Sequence, residues 1–488
     1  MRISNVNKQL DILIIGAGIS GIGLAVHLLK NCPQRSFEIV EKRNNYGGTW
    51  DLFKYPGIRS DSDMTTFGYH FKPWKKSSTL ADANSIKTYL GEVLDEYKFQ
   101  QKINYNHQVV SANFNRKKRQ WCVEILDENQ EKKIWWVNFI LGCTGYYNYD
   151  SGYQPKFPNV HQFKGEIVHP QQWTDQLDYQ NKKVVIIGSG ATAITLVPAL
   201  VKGGVAHVTM LQRSPSYIAS IPAQDSFYEK MRQYVSEARA YKLARMRNIT
   251  MQRAIYLLAQ KQPKLLRRIL LKSVRHELAG KVDMKHFTPS YMPWEQRLCV
   301  VPDGDLFKVL QGGHASIETD QIDYLTETGI HLKSGKEISA DIIISATGLN
   351  IQILGGIDVF IDDKKVNFSE HMLYQGILFN DIPNMAILIG YINASWTLKV
   401  DISAEYLCRL FNYMNQFGYQ EVIAQGDLSQ RLQNSVMGSL SSGYISRAVN
   451  IMPKQGLKAP WHVSNNYLAD RKTLKNAKFD DGILKFRA

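Results

Sequence analysis

The sequence predicts an α/β protein with two Rossmann-like dinucleotide-binding domains, each built on a parallel sheet, and a helical insertion. Three observations predict it. A strand, a G-x-G-x-x-G turn, an apolar helix and a second strand follow one another near the start of the chain. The same order recurs from Lys183 onward, and a basic, helix-rich stretch interrupts the second unit. With 488 residues, 44% hydrophobic and 21% charged, the chain can form two or three domains with sizeable cores. Disordered, collagen-like and disulfide-scaffold classes are excluded.

In the first unit Asp11 to Ile15 reads as a buried parallel strand, followed by Gly16-Ala17-Gly18-Ile19-Ser20-Gly21. An apolar helix (Ile22 to Leu29) and a strand (Phe37 to Val40) come next, ending in Glu41. Gly16 permits the tight turn, Gly18 lets the backbone approach a pyrophosphate, and Gly21 lets helix and strand pack closely. In the second unit the strand Lys183 to Ile187 leads into Gly188-Ser189-Gly190-Ala191-Thr192-Ala193. The helix Ile194 to Val201 and the strand His207 to Leu211 follow, ending in Gln212-Arg213-Ser214. From first glycine to strand-end residue the spacing is 25 in both units, reaching Glu41 in one and Arg213 in the other. A carboxylate suits free ribose hydroxyls, and a guanidinium suits a 2′-phosphate. The first site is therefore expected to hold FAD (or NAD) and the second NADPH.

Two dinucleotides in one chain imply hydride transfer from NADPH to a flavin, which then needs an acceptor. The five cysteines are far apart and form no C-x-x-C pair. That excludes a zinc knuckle and a redox disulfide, leaving molecular oxygen or an electron-transfer partner. No metal site is expected.

The formal net charge is +15. Much of it lies in the insertion, residues 223–286, where Arg245, Arg247, Arg253, Lys261, Lys264, Arg267, Arg268, Lys272 and Arg275 alternate with Leu and Ile. Pro263 should divide this stretch into two helices. The simplest reading is a solvated basic face over an apolar one; the alternative is contact with an anionic membrane surface. No nucleic-acid-binding module is present, so no nucleic-acid partner is expected. No apolar run approaches the roughly 20 residues a spanning helix needs. Ile12 to Ile15 run straight into a glycine turn rather than a cleavage site. The expected location is cytoplasmic, with the inner face of the membrane as the peripheral alternative.

Elsewhere Ile86, Leu90, Val93 and Leu94 share one face of a helix over Ala83 to Tyr97. The stretch from Val109 to Leu141 is strand-rich, its tryptophans (Trp121, Trp135, Trp136) reading as sheet packing. A hairpin is expected over Phe360 to Asn367, a buried strand over Ala386 to Tyr391, and a helix over Val400 to Tyr413. The expected organisation is an FAD-binding part over 1–147, a linker over 148–164, an NADP-binding domain over 165–350, and a return to the FAD domain over 351–488. No chemistry is assigned to the tail from Gln425.

Phe163, Gly165, His169 and Trp173 read F-x-G-x-x-x-H-x-x-x-W. This resembles the fingerprint of single-component Baeyer–Villiger monooxygenases, with Thr174 where that family usually carries Pro or Asp. Gly47 to Trp50, Tyr55 to Asp63, Arg297 to Phe307, Ala346 to Asn350 and Asn393 to Lys399 follow the order of the ethionamide-activating (EthA-type) branch. The resemblance implies an FAD- and NADPH-dependent enzyme inserting one oxygen atom of O2 into a ketone, through a C4a-peroxyflavin, to give an ester or lactone. It also implies oxidation of thioethers or thioamides. An N- or S-oxygenating flavin monooxygenase is one alternative; an NADPH oxidase or flavin-based sensor is the other.

It further implies that Arg297 stabilises the anionic oxygenated flavin and that Asp61 positions Arg297. Gly48, Thr49, Trp50, Asp61 and Val109 would join Gly16, Gly18, Ser20, Gly21 and Glu41 around FAD. Gly188, Ser189, Gly190, Ala191, Thr192, Arg213 and Ser214 would hold NADPH. His169 would couple the motion of the two units. Gln296 stands where relatives commonly have Lys, so the 2′-phosphate would rest on Arg213, Ser214 and Gln212. Asn393, Ser395 and Trp396 either line the substrate pocket or cap and pack a helix.

Overall fold

A computed structural model describes residues 8–296, 298–437 and 443–488. The strand Lys8–Ile15 lies parallel between Phe37–Val40 and Lys132–Gly142 in an eleven-stranded sheet. Ile12, Leu13 and Ile14 are wholly buried, as a parallel strand covered on both faces requires. One face packs on the helices Ile19–Asn31, Ala83–Tyr97 and Trp396–Gln416. The other is covered by the antiparallel strands Gln108–Asn115 and Gln120–Leu126, continuous with Lys132–Gly142. Trp121 and Trp135 fill that second core, whereas Trp136 turns outward beneath the Lys118 ammonium, 3.9 Å from its ring centre.

The second sheet is all parallel, in the order Ala315–Thr319, His207–Gln212, Lys183–Ile187, Ile342–Ser345, Glu166–Val168. The helix Ala191–Lys202 packs against it, with Ala193, Ile194, Leu196, Val197 and Leu200 buried. The fold is thus α/β with two Rossmann-like units. The two chain crossings between them run side by side: Tyr147–Gly152 pairs antiparallel with Leu349–Ile351.

The insertion is helical, and its second break falls where expected. The helix Glu237–Lys261 ends two residues before Pro263, which starts the helix Pro263–Leu278 at a position where its missing N–H costs nothing. A shorter helix, Ser226–Arg232, precedes them. Leu266, Leu270, Val274 and Leu278 form the buried face of the last helix, opposite Lys264, Arg268, Lys272 and Arg275. Arg245 departs from the expected solvated face. It is buried, and its Nη1 donates to the carbonyls of Thr65 (2.7 Å) and Gly68 (2.8 Å), which fastens the insertion to the first unit. No helix among the described residues is long and apolar enough to cross a membrane.

Ala83–Tyr97 is helical as expected, and Asp358–Ile361 pairs with Lys364–Lys365 as a hairpin. Two elements differ in length. The late strand is shorter, Met385–Ile387, because its edge pairing with Lys132–Gly142 ends there. The late helix is longer, Trp396–Gln416, beginning directly after Ser395.

Candidate active site

A cavity of about 820 Å³ runs between the two sheets, reached by the first glycine turn and by the start of the helix that follows the second. Gly16, Gly18, Ser20, Glu41, Gly48, Thr49, Trp50, Asp61 and Val109 line it from the first unit; Ala191 and Thr192 line it from the second. Gly21 sits behind the wall, where a Cβ would come within 1.9 Å of the Gly16 carbonyl oxygen. Gly188 likewise holds the second turn against Ala346, where a Cβ would meet the carbonyl oxygen at 2.4 Å. Gly190 opens on free space, and the Ser189 hydroxyl is hydrogen-bonded to Ser216 (3.0 Å).

The residues fit two dinucleotides. Both turn-to-helix junctions, at Gly18 and Gly190, lack a side-chain cap and any acidic residue in the first turn. Their N–H groups and positive dipole ends are therefore left for an anion. Gly48, at φ +57°, faces Gly18 so closely that a Cβ on it would stand 3.0 Å from the Gly18 Cα, narrowing the cradle. Glu41 is buried, with one oxygen accepting from the Ala17 N–H (2.8 Å) and the other from the Arg43 N–H (2.9 Å). Burial raises its pKa, while those two N–H groups pull the other way. The remaining lone pairs suit ribose hydroxyls.

On the second unit Arg213 and Ser214 are exposed at the end of their strand, outside the cavity wall. Gln212 is a correction. It is buried, and its Nε2 donates to the His286 carbonyl (2.7 Å) and Thr319 Oγ1 (2.9 Å), so its amide is committed to the fold rather than turned to a phosphate.

His169 lies at the paired crossings. Its Nδ1 accepts from the Gln171 N–H (3.2 Å), which places the ring proton on Nε2, and Nε2 donates to the Gly348 carbonyl (3.1 Å). Burial lowers its pKa, so the ring is neutral at pH 7. Trp396 Nε1 donates to Ser20 Oγ (2.7 Å), and Ser395 Oγ bonds Thr66 Oγ1 (2.5 Å). Asn393, Ser395 and Trp396 line the cavity. The expected side-chain cap is not formed, since Ser395 precedes the helix without a cap bond and Asn393 Nδ2 donates to the Asn465 carbonyl (2.8 Å).

Arg297 lies outside the described residues; Asp61 is exposed at the cavity wall. Several lining residues went unassigned in the sequence. The insertion helix contributes Asn248, Met251, Gln252 and Ile255; the strand Ile218–Ile221 contributes Ala219 and Ile221, with Pro222 just after it. A signal existed for the helix: Tyr241, Arg245, Asn248 and Gln252 form a polar stripe at helical spacing within an otherwise apolar-and-basic pattern.

Two glycine-turn units opening on one cavity define a two-dinucleotide oxidoreductase. More particularly, the chain belongs to the flavin-binding monooxygenase-like family, which it matches over residues 8–431, as the resemblance in its motifs implied. It is 65% identical over 479 residues to the probable FAD-binding monooxygenase AlmA of Acinetobacter baylyi, covering 98% of this chain and 96% of that one. It is 45% identical over 480 residues to the FAD-containing monooxygenase EthA of Mycobacterium tuberculosis, covering 98% of each. Among solved structures, an oxidized steroid monooxygenase bound to NADP shares the fold with a TM-score of 0.77 at 18% identity, covering 98% of this chain and 99% of that one.

Proposed function

We propose that this protein is an FAD- and NADPH-dependent Baeyer–Villiger monooxygenase that inserts one oxygen atom of O2 into ketones, giving esters or lactones, and oxidises thioethers or thioamides at the same site. FAD would be held by residues 1–147 and 351–488, and NADPH by 165–350. The observation that carries the reading is one cavity lined by the first glycine turn, by Ala191 and Thr192 at the start of the second unit's helix, and by Asp61.

When bound, reduced FAD supplies the activation of O2, with NADPH as hydride donor. The chain's own part is binding, orientation and electrostatics. The helix N-termini at Gly18 and Gly190 receive the two pyrophosphates, and Glu41 accepts from ribose hydroxyls. Trp396 fixes the Ser20 hydroxyl at the first turn. Arg213 and Ser214 bind the 2′-phosphate at the strand end. Asp61 supplies the carboxylate that orients Arg297, whose cation stabilises negative charge developing during oxygen transfer. Phe53, Ile58, Phe67, Ile255, Trp294 and Leu298 give the cavity an apolar lobe that excludes water and suits an uncharged carbonyl compound. His169, directly after the strand Glu166–Val168, bonds the Gly348 carbonyl at the second crossing, keeping the two units in register as they move.

The test is incubation of FAD-loaded protein with NADPH and a molecule carrying both a ketone and a thioether, with mass-spectrometric product analysis. Ester is expected, with sulfoxide beside it. Sulfoxide alone would move the protein to the N- and S-oxygenating class, and peroxide alone to the oxidases.

A further inference from the structure

Resting on the role proposed for Asp61, we propose that Arg59 and Asp63 are positioning residues that present this carboxylate to the cavity from a strap pinned at both sides. The strap backbone is hydrogen-bonded at Ser60 N–H to the Ala81 carbonyl (2.9 Å) and at Met64 N–H to the Thr79 carbonyl (2.9 Å). Between these anchors, among the described residues, the backbone N–H bond is that of Ser62 to Ser60 Oγ (3.1 Å). Asp61 therefore sits in the least restrained stretch of the loop, and its two alternate neighbours carry the side-chain restraints.

On one side Arg59 Nη1 donates to Asp305 Oδ2 (2.7 Å), at the start of the helix Asp305–Gln311 of the second unit. The same loop touches that unit twice more. Tyr55 is buried in the core of that unit with Ala193 and Leu196, and a Cβ on Gly57 would stand 2.8 Å from the Ala199 Cβ. On the other side the Asp63 carboxylate accepts from Thr65 Oγ1 (2.6 Å), Thr66 N–H (3.1 Å), Thr66 Oγ1 (2.6 Å) and Asn248 Nδ2 (3.0 Å). It also accepts from Gln252 Nε2. Asn248 and Gln252 are one turn apart on the insertion helix, so Asp63 is where that helix grips the first unit. Asp61 is thus carried by three bodies at once: Arg59 ties it to the second unit, Asp63 to the insertion, and the backbone to the first. A relative shift of any two tilts the carboxylate that orients Arg297.

Asp305 is the residue to change, because it touches Arg59 and does not line the cavity. Three proteins, wild type, Asp305→Asn and the exchange Arg59→Asp/Asp305→Arg, are compared by oxygenated product formed per NADPH consumed and by amide hydrogen exchange over residues 55–64. A displacement of the orienting carboxylate predicts about a tenfold fall in product per NADPH for Asp305→Asn, matched by peroxide. Faster exchange over the strap should accompany it, with recovery of both in the exchanged pair. Unchanged product per NADPH and unchanged exchange, whatever happens to the melting temperature, would overturn the proposal. Asp61→Asn serves as the control. If it leaves product per NADPH intact while Asp305→Asn still loosens the strap, the role of Asp61 is what fails, and the proposal falls with it.

Discussion

Replacing Gly152 by Ala will dislodge His169 without touching the histidine itself. A Cβ on Gly152 would stand 1.9 Å from His169 Cε1, inside any tolerable contact. The imidazole must swing away, breaking Nε2–H to the Gly348 carbonyl (3.1 Å) and the Gln171 N–H to Nδ1 (3.2 Å). Two hydrogen bonds, one buried and one part-buried, at about 1 kcal/mol net each give a loss of about 2 kcal/mol. The Gly348 carbonyl keeps the Tyr153 N–H (3.0 Å) as a donor. His169→Ala loses the same bonds. In the double variant the methyl group occupies space the ring has vacated, so the two changes must be strongly non-additive, with the double variant no less stable than His169→Ala. Urea unfolding of the three variants measures this cycle. Additive losses, or a Gly152→Ala protein as stable as wild type, would refute the placement of His169 over the paired crossings.

Arg213→Gln should raise the KM for NADPH by about 10- to 100-fold, the worth of a charge-assisted phosphate bond, and leave that for NADH unchanged; steady-state NADPH oxidation measures both. Gly48→Ala, at φ +57° and facing Gly18 across the cradle, should purify with less FAD, read from its absorbance ratio. His169, His207 and His286 all have pKa values lowered by burial, with Lys183 adding to the effect at His207 and Lys285 at His286. The unfolded chain therefore binds more protons below its histidine pKa near 6.5. The stability these groups contribute is complete above about pH 6.5 and is lost as the pH falls toward their folded values, which a melting series from pH 8 to 5 will show.

Both nucleotide units were legible because their signals are local. A buried strand, a glycine turn whose first glycine is pressed against a neighbouring carbonyl (at Gly16 and Gly188), and a helix lie within one short stretch, and their spacing is set by backbone geometry. The long-range contacts were not legible. Gln212 looks like a phosphate ligand from its place beside Arg213, yet side chains alternate along a strand, and its own is taken by Thr319 and the His286 carbonyl. Arg245 looks like one more surface cation until the turn at Thr65 to Gly68, distant in sequence, presents three carbonyls to it. The strap from Arg59 to Asp63 could be matched to a family motif, but its partners Asp305, Asn248 and Gln252 come from two other parts of the chain. Only the folded arrangement brings them to one loop.

The most direct test of the central claim is a single-turnover balance under ¹⁸O2. FAD-loaded protein, a limiting amount of NADPH and excess ketone are allowed to react, and ester, peroxide and label are measured together. The account predicts one ester per NADPH, carrying one ¹⁸O atom, with little peroxide. Full consumption of NADPH with peroxide in equal amount and no labelled ester, for a series of ketones that enter the cavity, would contradict it.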